Sequence, residues 1–204
     1  MTGERYSNPS QQQRLPRRGN RLTACFGRVI LKLCGWNIRG ALPEQPKLLV
    51  IVAPHTSNWD FVIGIAAVVA LCLDANWVGK HTLFRGVCGK VMTWFGGIPV
   101  DRRMAHGVVD QLVAEFQQRE HLFLGITPEG TRSRVDRWKT GFYHIARQAN
   151  IPLVPVCFDY HLKQMVIFPP FSLSGDLEHD LVNLQQVFAE ATPKIPSNYN
   201  TQIY

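Results

Sequence analysis

The sequence has no C-x-x-C pair, no apolar run of membrane-spanning length and no metal-ligand spacing beyond one His–Asp pair. Each absence argues against a class of protein. The five cysteines (Cys25, Cys34, Cys72, Cys88 and Cys157) are odd in number and irregularly spaced, so neither a zinc site nor a disulfide framework is indicated. They read as small buried hydrophobes in a reducing, cytoplasmic compartment. The longest uncharged apolar run covers 13 positions, 61–73, and stops at Asp74, whereas a bilayer span takes roughly 20. A signal peptide is not expected, because the first apolar stretch follows a long polar leader and is interrupted by Arg28 and Lys32. A metal-dependent phosphohydrolase would need clustered carboxylates and histidines, and only His55 and Asp60 stand at a useful spacing. Acidic residues are also the minority: 15 Asp and Glu against 22 Lys and Arg leave a formal charge of +7. That excess favours an anionic partner: nucleic acid, an anionic bilayer, or a phosphorylated or CoA-like substrate. No reading helix or aromatic platform speaks for nucleic acid.

What is present is enough for one globular domain: 204 residues, 46% of them hydrophobic. Residues 1–20 are rich in Gln, Arg, Pro and Asn and are expected to form a disordered basic leader. Over 21–38, Leu22, Phe26, Val29, Ile30, Leu33 and Trp36 recur at helical spacing among Arg21, Arg28 and Lys32. Such a basic amphipathic helix with a terminal Trp suits a lipid headgroup region, and it equally suits a helix packed on the body with its cations solvated. From 39 to 191 the pattern alternates. Strands are expected at 47–53, 76–79, 98–100, 122–126, 152–159 and 164–168, and helices at 60–73, 85–95, 104–120, 140–149 and 177–191. This is an α/β domain with a mostly parallel sheet flanked by helices, and 192–204 reads as a tail. In such sheets ligands collect outside the carboxyl ends of the strands.

Four clusters follow strands or form them. Pro54 ends the first long strand, Ser57 or Asn58 can cap the next helix, and the turn between can fold Asp60 onto His55. A carboxylate holding one imidazole nitrogen leaves the other free to accept a proton, though a loop histidine beside a helix-dipole partner is the plainer reading. Gly96 and Gly97 permit a turn before a short strand that delivers Asp101, Arg102 and Arg103 to the same edge. Residues 127–133 (TPEGTRS) follow another apolar strand. There Gly130 lets backbone N–H groups approach an anion, Thr131 adds a hydroxyl, and Arg132 offers a planar fork. Glu129 needs a partner such as Arg102, Arg132 or a substrate hydroxyl. The fourth cluster, 151–156 (IPLVPV), carries two prolines, which demote it to an edge or bulged strand that could shape an apolar groove, though a plain core strand fits equally.

In order and spacing, an H-x-x-x-x-D pair, a glycine turn ending in D-R, an E-G-T-R loop and an I-P-x-V-P strand resemble the four motifs of the glycerolipid acyltransferases. The chain is similar to the bacterial 1-acyl-glycerol-3-phosphate acyltransferase family from about residue 47 to 159. Residues 79–84 and 138–141 resemble two further family blocks. The resemblance implies that His55 is the general base on an acceptor hydroxyl and that Asp60 orients it, with Lys80 facing the oxyanion. Arg102, Glu129, Gly130, Thr131 and Arg132 would seat the acceptor's glycerol phosphate, with Lys139 as a helper. It further implies acyl transfer from acyl-CoA or acyl-carrier protein to a lysophospholipid hydroxyl, most simply 1-acyl-glycerol-3-phosphate, at the cytoplasmic face of the inner membrane, with no cofactor. Another lysolipid, such as a lyso-aminolipid, is the sister acceptor. Pro54 stands where the family usually has Asn, and Pro99 where a bulky apolar residue is common. Both departures bear on the acceptor more than on the reaction.

Overall fold

The computed structural model describes residues 14–101 and 105–200; most of the expected leader, together with Arg102 and Arg103, lies outside the described residues. Helix α1 (Arg21–Leu33) leads to β1 (Asn37–Arg39), β2 (Lys47–Ala53), α2 (Asn58–Ala70) and β3 (Ala75–Lys80). A 3-10 turn, His81–Phe84, precedes α3 (Gly86–Trp94), β4 (Gly97–Val100), α4 (Ala105–Gln118) and β5 (Leu122–Ile126). The chain then forms α5 (Gly141–Ala149), β6 (Leu153–Asp159), β7 (Gln164–Ile167) and α6 (Leu177–Phe188). The seven strands form one sheet in the order β1-β7-β6-β2-β5-β3-β4. Every neighbouring pair is parallel except β6 with β7.

The expected α/β architecture is the one observed. The apolar run of β2 is covered on two sides, as a continuous β-branched strand requires. Leu49 and Ile51 join a core built with Leu112, Phe116, Phe142 and Phe188 from α4, α5 and α6. Leu48 and Val50 join a second core with Leu31 of α1 and Ile63, Ala66 and Ala67 of α2.

Three sequence expectations are decided in three dimensions. Of the two readings of the proline-bearing strand, the core strand is the one observed: β6, which holds Pro155, lies between β2 and β7, and all seven of its residues are buried. It tolerates Pro155 because that carbonyl accepts from Phe168 N at 3.0 Å. The missing N–H therefore faces a point just past the end of β7, where the ladder is already running out. Of the cysteines, only Cys157 is buried; Cys25 and Cys88 are exposed. The expected membrane helix also ends earlier than its pattern suggests. Gly35 N donates to Lys32 O and Trp36 N to Leu31 O at 2.8 Å, a Schellman stop. Trp36 is thereby turned inward, 6% exposed, against Phe158 and Tyr160.

The face that α1 turns inward is made of its small residues and one Leu. Ala24, Gly27 and Leu31 are buried against the body. A Cβ on Gly27 would lie 2.4 Å from Ala70 N and 2.8 Å from Ala66 O, so the two helix backbones touch there. The bulky row faces outward instead, with Leu22 80%, Phe26 65%, Val29 48% and Leu33 82% exposed. Gly27→Val should force α1 off α2 and cost on the order of 1–3 kcal/mol, read as a lowered urea midpoint.

Candidate active site

Parallel neighbours end on the same edge of a sheet, and this sheet places three chemistry-bearing segments side by side. β2 pairs with β5, and β5 with β3. The segment after β2 carries His55 and Asp60, that after β5 carries residues 129–132, and β3 ends in Lys80.

The first segment is organised by Asp60. Ser57 is the N-cap of α2, its hydroxyl accepting from Trp59 N at 3.2 Å. Asp60, three residues into the helix, reaches back to complete a capping box. Its Oδ2 accepts from Thr56 N and Ser57 N, each at 2.8 Å, and lies 3.1 Å from His55 Nδ1. The helix cap and the imidazole therefore share one carboxylate oxygen. The other oxygen, Oδ1, accepts from the Tyr160 hydroxyl at 2.6 Å. Burial alone would raise the Asp60 carboxyl, but hydrogen bonds from His55, Tyr160 and the Ser57 backbone outweigh it and hold it below its ordinary value. Asp60 is thus ionised and fixed, and His55 Nε2 is the nitrogen left to take a proton.

The loop after β5 turns at Gly130, whose φ is +65°, a left-handed conformation that favours glycine. Gly130 N donates to Thr127 O at 3.1 Å, so the turn itself uses that N–H. The Lys139 side chain packs over the same glycine, its Cδ 3.1 Å from where a Cβ would stand. Thr131, Arg132 and Lys139 are exposed. Glu129 points the other way. It is 5% exposed, and its Oε1 accepts from His55 N at 3.0 Å, tying this loop to the backbone of the histidine. Its Oε2 has no hydrogen-bond partner among the described residues. Burial, only partly offset by the His55 N–H and reinforced by the negative Asp60, pushes the Glu129 carboxyl up to about 7.

One cavity of about 420 Å³ joins these groups; His55, Asp60, Lys80, Gly130, Thr131 and Arg132 all line it. From the strand ends it runs back between the sheet and α2. Val50, Val52, Phe123, Val156 and Phe158 floor it, with Gly64, Val68 and Leu71 above. The structure thus brings together every described candidate except Glu129, which stands behind the cavity, and Lys139, which braces the loop from outside. Arg102 lies outside the described residues. Among the described residues, no three His, Cys, Asp or Glu side chains converge as a metal site.

Tyr160 has no local signal in the sequence, standing 100 positions from Asp60. Topology alone would have found it. β6 is the other neighbour of β2, with Cys157 paired to Ala53, so a residue just past β6 reaches the same rim as His55.

A half-buried His55 oriented by a buried Asp60, beside exposed cations and an apolar channel, has the chemistry to deprotonate a hydroxyl next to an anionic, lipid-like ligand. The family model described as Acyltransferase matches residues 37–159. The chain belongs to that family. It is 32% identical over 115 residues to the 1-acyl-sn-glycerol-3-phosphate acyltransferase of Escherichia coli (strain K12), covering 53% of this chain and 45% of that protein. It is 29% identical over 170 residues to the enzyme of the same name from Haemophilus influenzae, covering 78% of this chain and 66% of that one. The chain therefore spans less than half of the first relative's length. The crystal structure of the 1-acyl-sn-glycerophosphate acyltransferase PlsC from Thermotoga maritima shares the fold, with a TM-score of 0.53 and 16% identity. The match covers 84% of this chain and 80% of that one.

A carboxyl raised from 4.5 to about 7 by folding stays protonated in the native state while the unfolded chain ionises. Stability is then greatest below about pH 4.5, falls as pH rises, and levels off above about 7, losing on the order of 3 kcal/mol through this group. Glu129→Gln should remove that decline, visible as a flatter dependence of the denaturation midpoint on pH between 4.5 and 7.

Proposed function

We propose that the protein transfers a fatty acyl group from acyl-CoA or acyl-carrier protein to the free hydroxyl of 1-acyl-glycerol-3-phosphate, in phospholipid synthesis. The observation that carries this reading is the shared cavity: an Asp60-backed His55, a cationic and hydroxyl-bearing loop, and a long apolar channel open into one another. The names of the Escherichia coli and Haemophilus influenzae relatives support the same acceptor.

In this reading the acceptor phosphate rests on Thr131 and Arg132, with Lys139 behind and Arg102 as a further cation. Glu129 anchors that loop to His55. The apolar channel takes an acyl chain, its dry walls favouring methylene groups over water. His55 Nε2 removes the acceptor hydroxyl proton as the oxygen attacks the thioester carbonyl carbon, forming a C–O bond and pushing the π electrons onto the carbonyl oxygen. Lys80 faces that oxyanion. When the carbonyl re-forms, the C–S bond breaks and the leaving thiolate takes the proton back from the imidazolium. The acceptor is its own nucleophile, so no acyl-enzyme is required.

The same reading places the protein on a membrane, where the lysolipid acceptor resides. Among the described residues no helix is long and apolar enough to cross one. The outward row of α1 is instead an interfacial surface, with Arg21, Arg28 and Lys32 exposed beside it to meet anionic headgroups. Val87, Val91 and Trp94 of α3, also exposed, extend that contact. Arg18 links the two regions, its guanidinium donating to Trp94 O and lying 4.9 Å over the Trp94 ring. The membrane face is the cytoplasmic face of the inner membrane, where acyl-CoA and acyl-carrier protein are found.

Purified protein incubated with acyl-CoA and a panel of lysolipids should acylate 1-acyl-glycerol-3-phosphate best. His55→Ala and Asp60→Ala should each lower kcat by at least about 100-fold, the scale of a lost general base; His55→Ala should keep the wild-type circular dichroism spectrum, whereas Asp60→Ala also removes the cap of α2 and should lower Tm. Arg132→Ala should mainly raise KM for the acceptor; an unaltered KM would remove the phosphate role. Phe26→Asp combined with Leu33→Asp should abolish co-sedimentation with phosphatidylglycerol vesicles, since both side chains are exposed and contribute no core packing.

A further inference from the structure

The hydroxyl of Tyr160 has a position that core packing does not explain. The Asp60 side chain is 1% exposed, and three donors crowd onto its Oδ2: Thr56 N, Ser57 N and His55 Nδ1. Oδ1 is left for Tyr160, at 2.6 Å. That distance falls in the short range of an O–H group donating to an ionised carboxylate. Without it, one oxygen of a buried carboxylate would lose its partner, and the carboxylate plane would be held from one side only.

Tyr160 is in turn held independently of Asp60. Its ring meets Trp36 edge-on at 4.9 Å, Lys194 Nζ lies 5.4 Å from the ring centroid, and its backbone N–H donates to Thr192 O at 2.8 Å. Residue 159 sets the turn that follows β6, Asp159 Oδ1 accepting from His161 N and Leu162 N. Burial and the Asp60 carboxylate both push the Tyr160 hydroxyl up, so it stays a donor across the working pH range. Ring and backbone thus account for packing, while the hydroxyl serves only the pair.

We propose that Tyr160 is a positioning residue for the His55–Asp60 pair, its hydroxyl locking the Asp60 carboxylate in the plane that orients His55 and drawing off part of its charge. The inference rests on the acyltransferase reading for its kinetic consequence, but not for its structural one. The charged or titratable groups around the pair are Glu129 on the His55 backbone, Lys80 and Arg132 in the cavity wall, Lys194 over the Tyr160 ring, and Tyr199, which feels Glu129. Tyr160→Phe leaves all of them in place.

The sign follows from the charge. Tyr160 draws electron density from Asp60, and without that donation the carboxylate holds the imidazolium more strongly. A base that must be unprotonated then works only at higher pH, so the acid limb of the kcat profile should move upward in Tyr160→Phe. In addition kcat should fall by ~10-fold, a fraction of what a general base supplies, while KM for the lysolipid stays close to wild type and Tm falls with the hydrogen bond lost from a buried carboxylate. The downfield proton resonance of His55 Nδ1–H, visible without any substrate, should shift and exchange faster with solvent. An unmoved acid limb and an unmoved resonance would overturn the proposal, whatever happens to kcat, because a merely structural tyrosine alters Tm and not the pair. Wild-type protein inactive toward every lysolipid would defeat the functional reading, while the resonance would still decide the role of Tyr160.

Discussion

A carboxylate shut away from water stays ionised only when donors surround it, and Asp60 gathers four from two parts of the chain. Two are backbone N–H groups of its own helix cap, one is His55 immediately before them, and one is Tyr160 in the turn after β6. The cap and the pair cannot be separated: whatever holds α2 in register also holds His55. A residue that in most helices would merely stabilise the first turn is here the hub of the site, and Thr56, Ser57 and Asp60 are buried around it while Asn58, Trp59 and Phe61 stay exposed.

The remaining groups are arranged about that hub by parallel pairing. Because β2 lies between β5 and β6, the segments following all three emerge on one rim. β5 contributes the cation-bearing loop and Glu129, and β6 contributes Tyr160. Glu129 spans two of these segments, as its bond to His55 N shows. The C-terminal residues close the third side, with Ile195 N donating to Thr56 Oγ1 and Arg134 to Tyr199 O. Thr56, inside the first motif, is thereby held from both of its neighbours in space.

The membrane reading draws on one packing decision. α1 meets α2 through Ala24, Gly27 and Leu31, so its large residues have no protein to cover them. Were the helix rotated to bury Phe26 and Leu33, the close backbone contact at Gly27 would be lost. Exposure of that helix face is thus the consequence of one small-residue contact.

Much of this was legible from the residues alone. The continuous apolar run of β2, the apolar stretch of α2, the helical period of α4 and the loops that follow β2 and β5 are local signals, and each formed within about three residues of where its pattern placed it. The His55–Asp60 contact was legible too, because a capping turn joins residues only a few positions apart. What the chain order could not reveal are relations set by strand neighbours and helix rotation. Tyr160 reaches Asp60 only because β6 lies beside β2, and Pro155 is tolerated in a central strand only because β7 ends opposite it. Trp36 faces inward because a Schellman turn follows α1, and the outward face of α1 was chosen by backbone contact at Gly27, not by hydrophobicity. Periodicity reports which residues share a face; which face meets which partner is decided by long-range packing, and that is where the sequence falls silent.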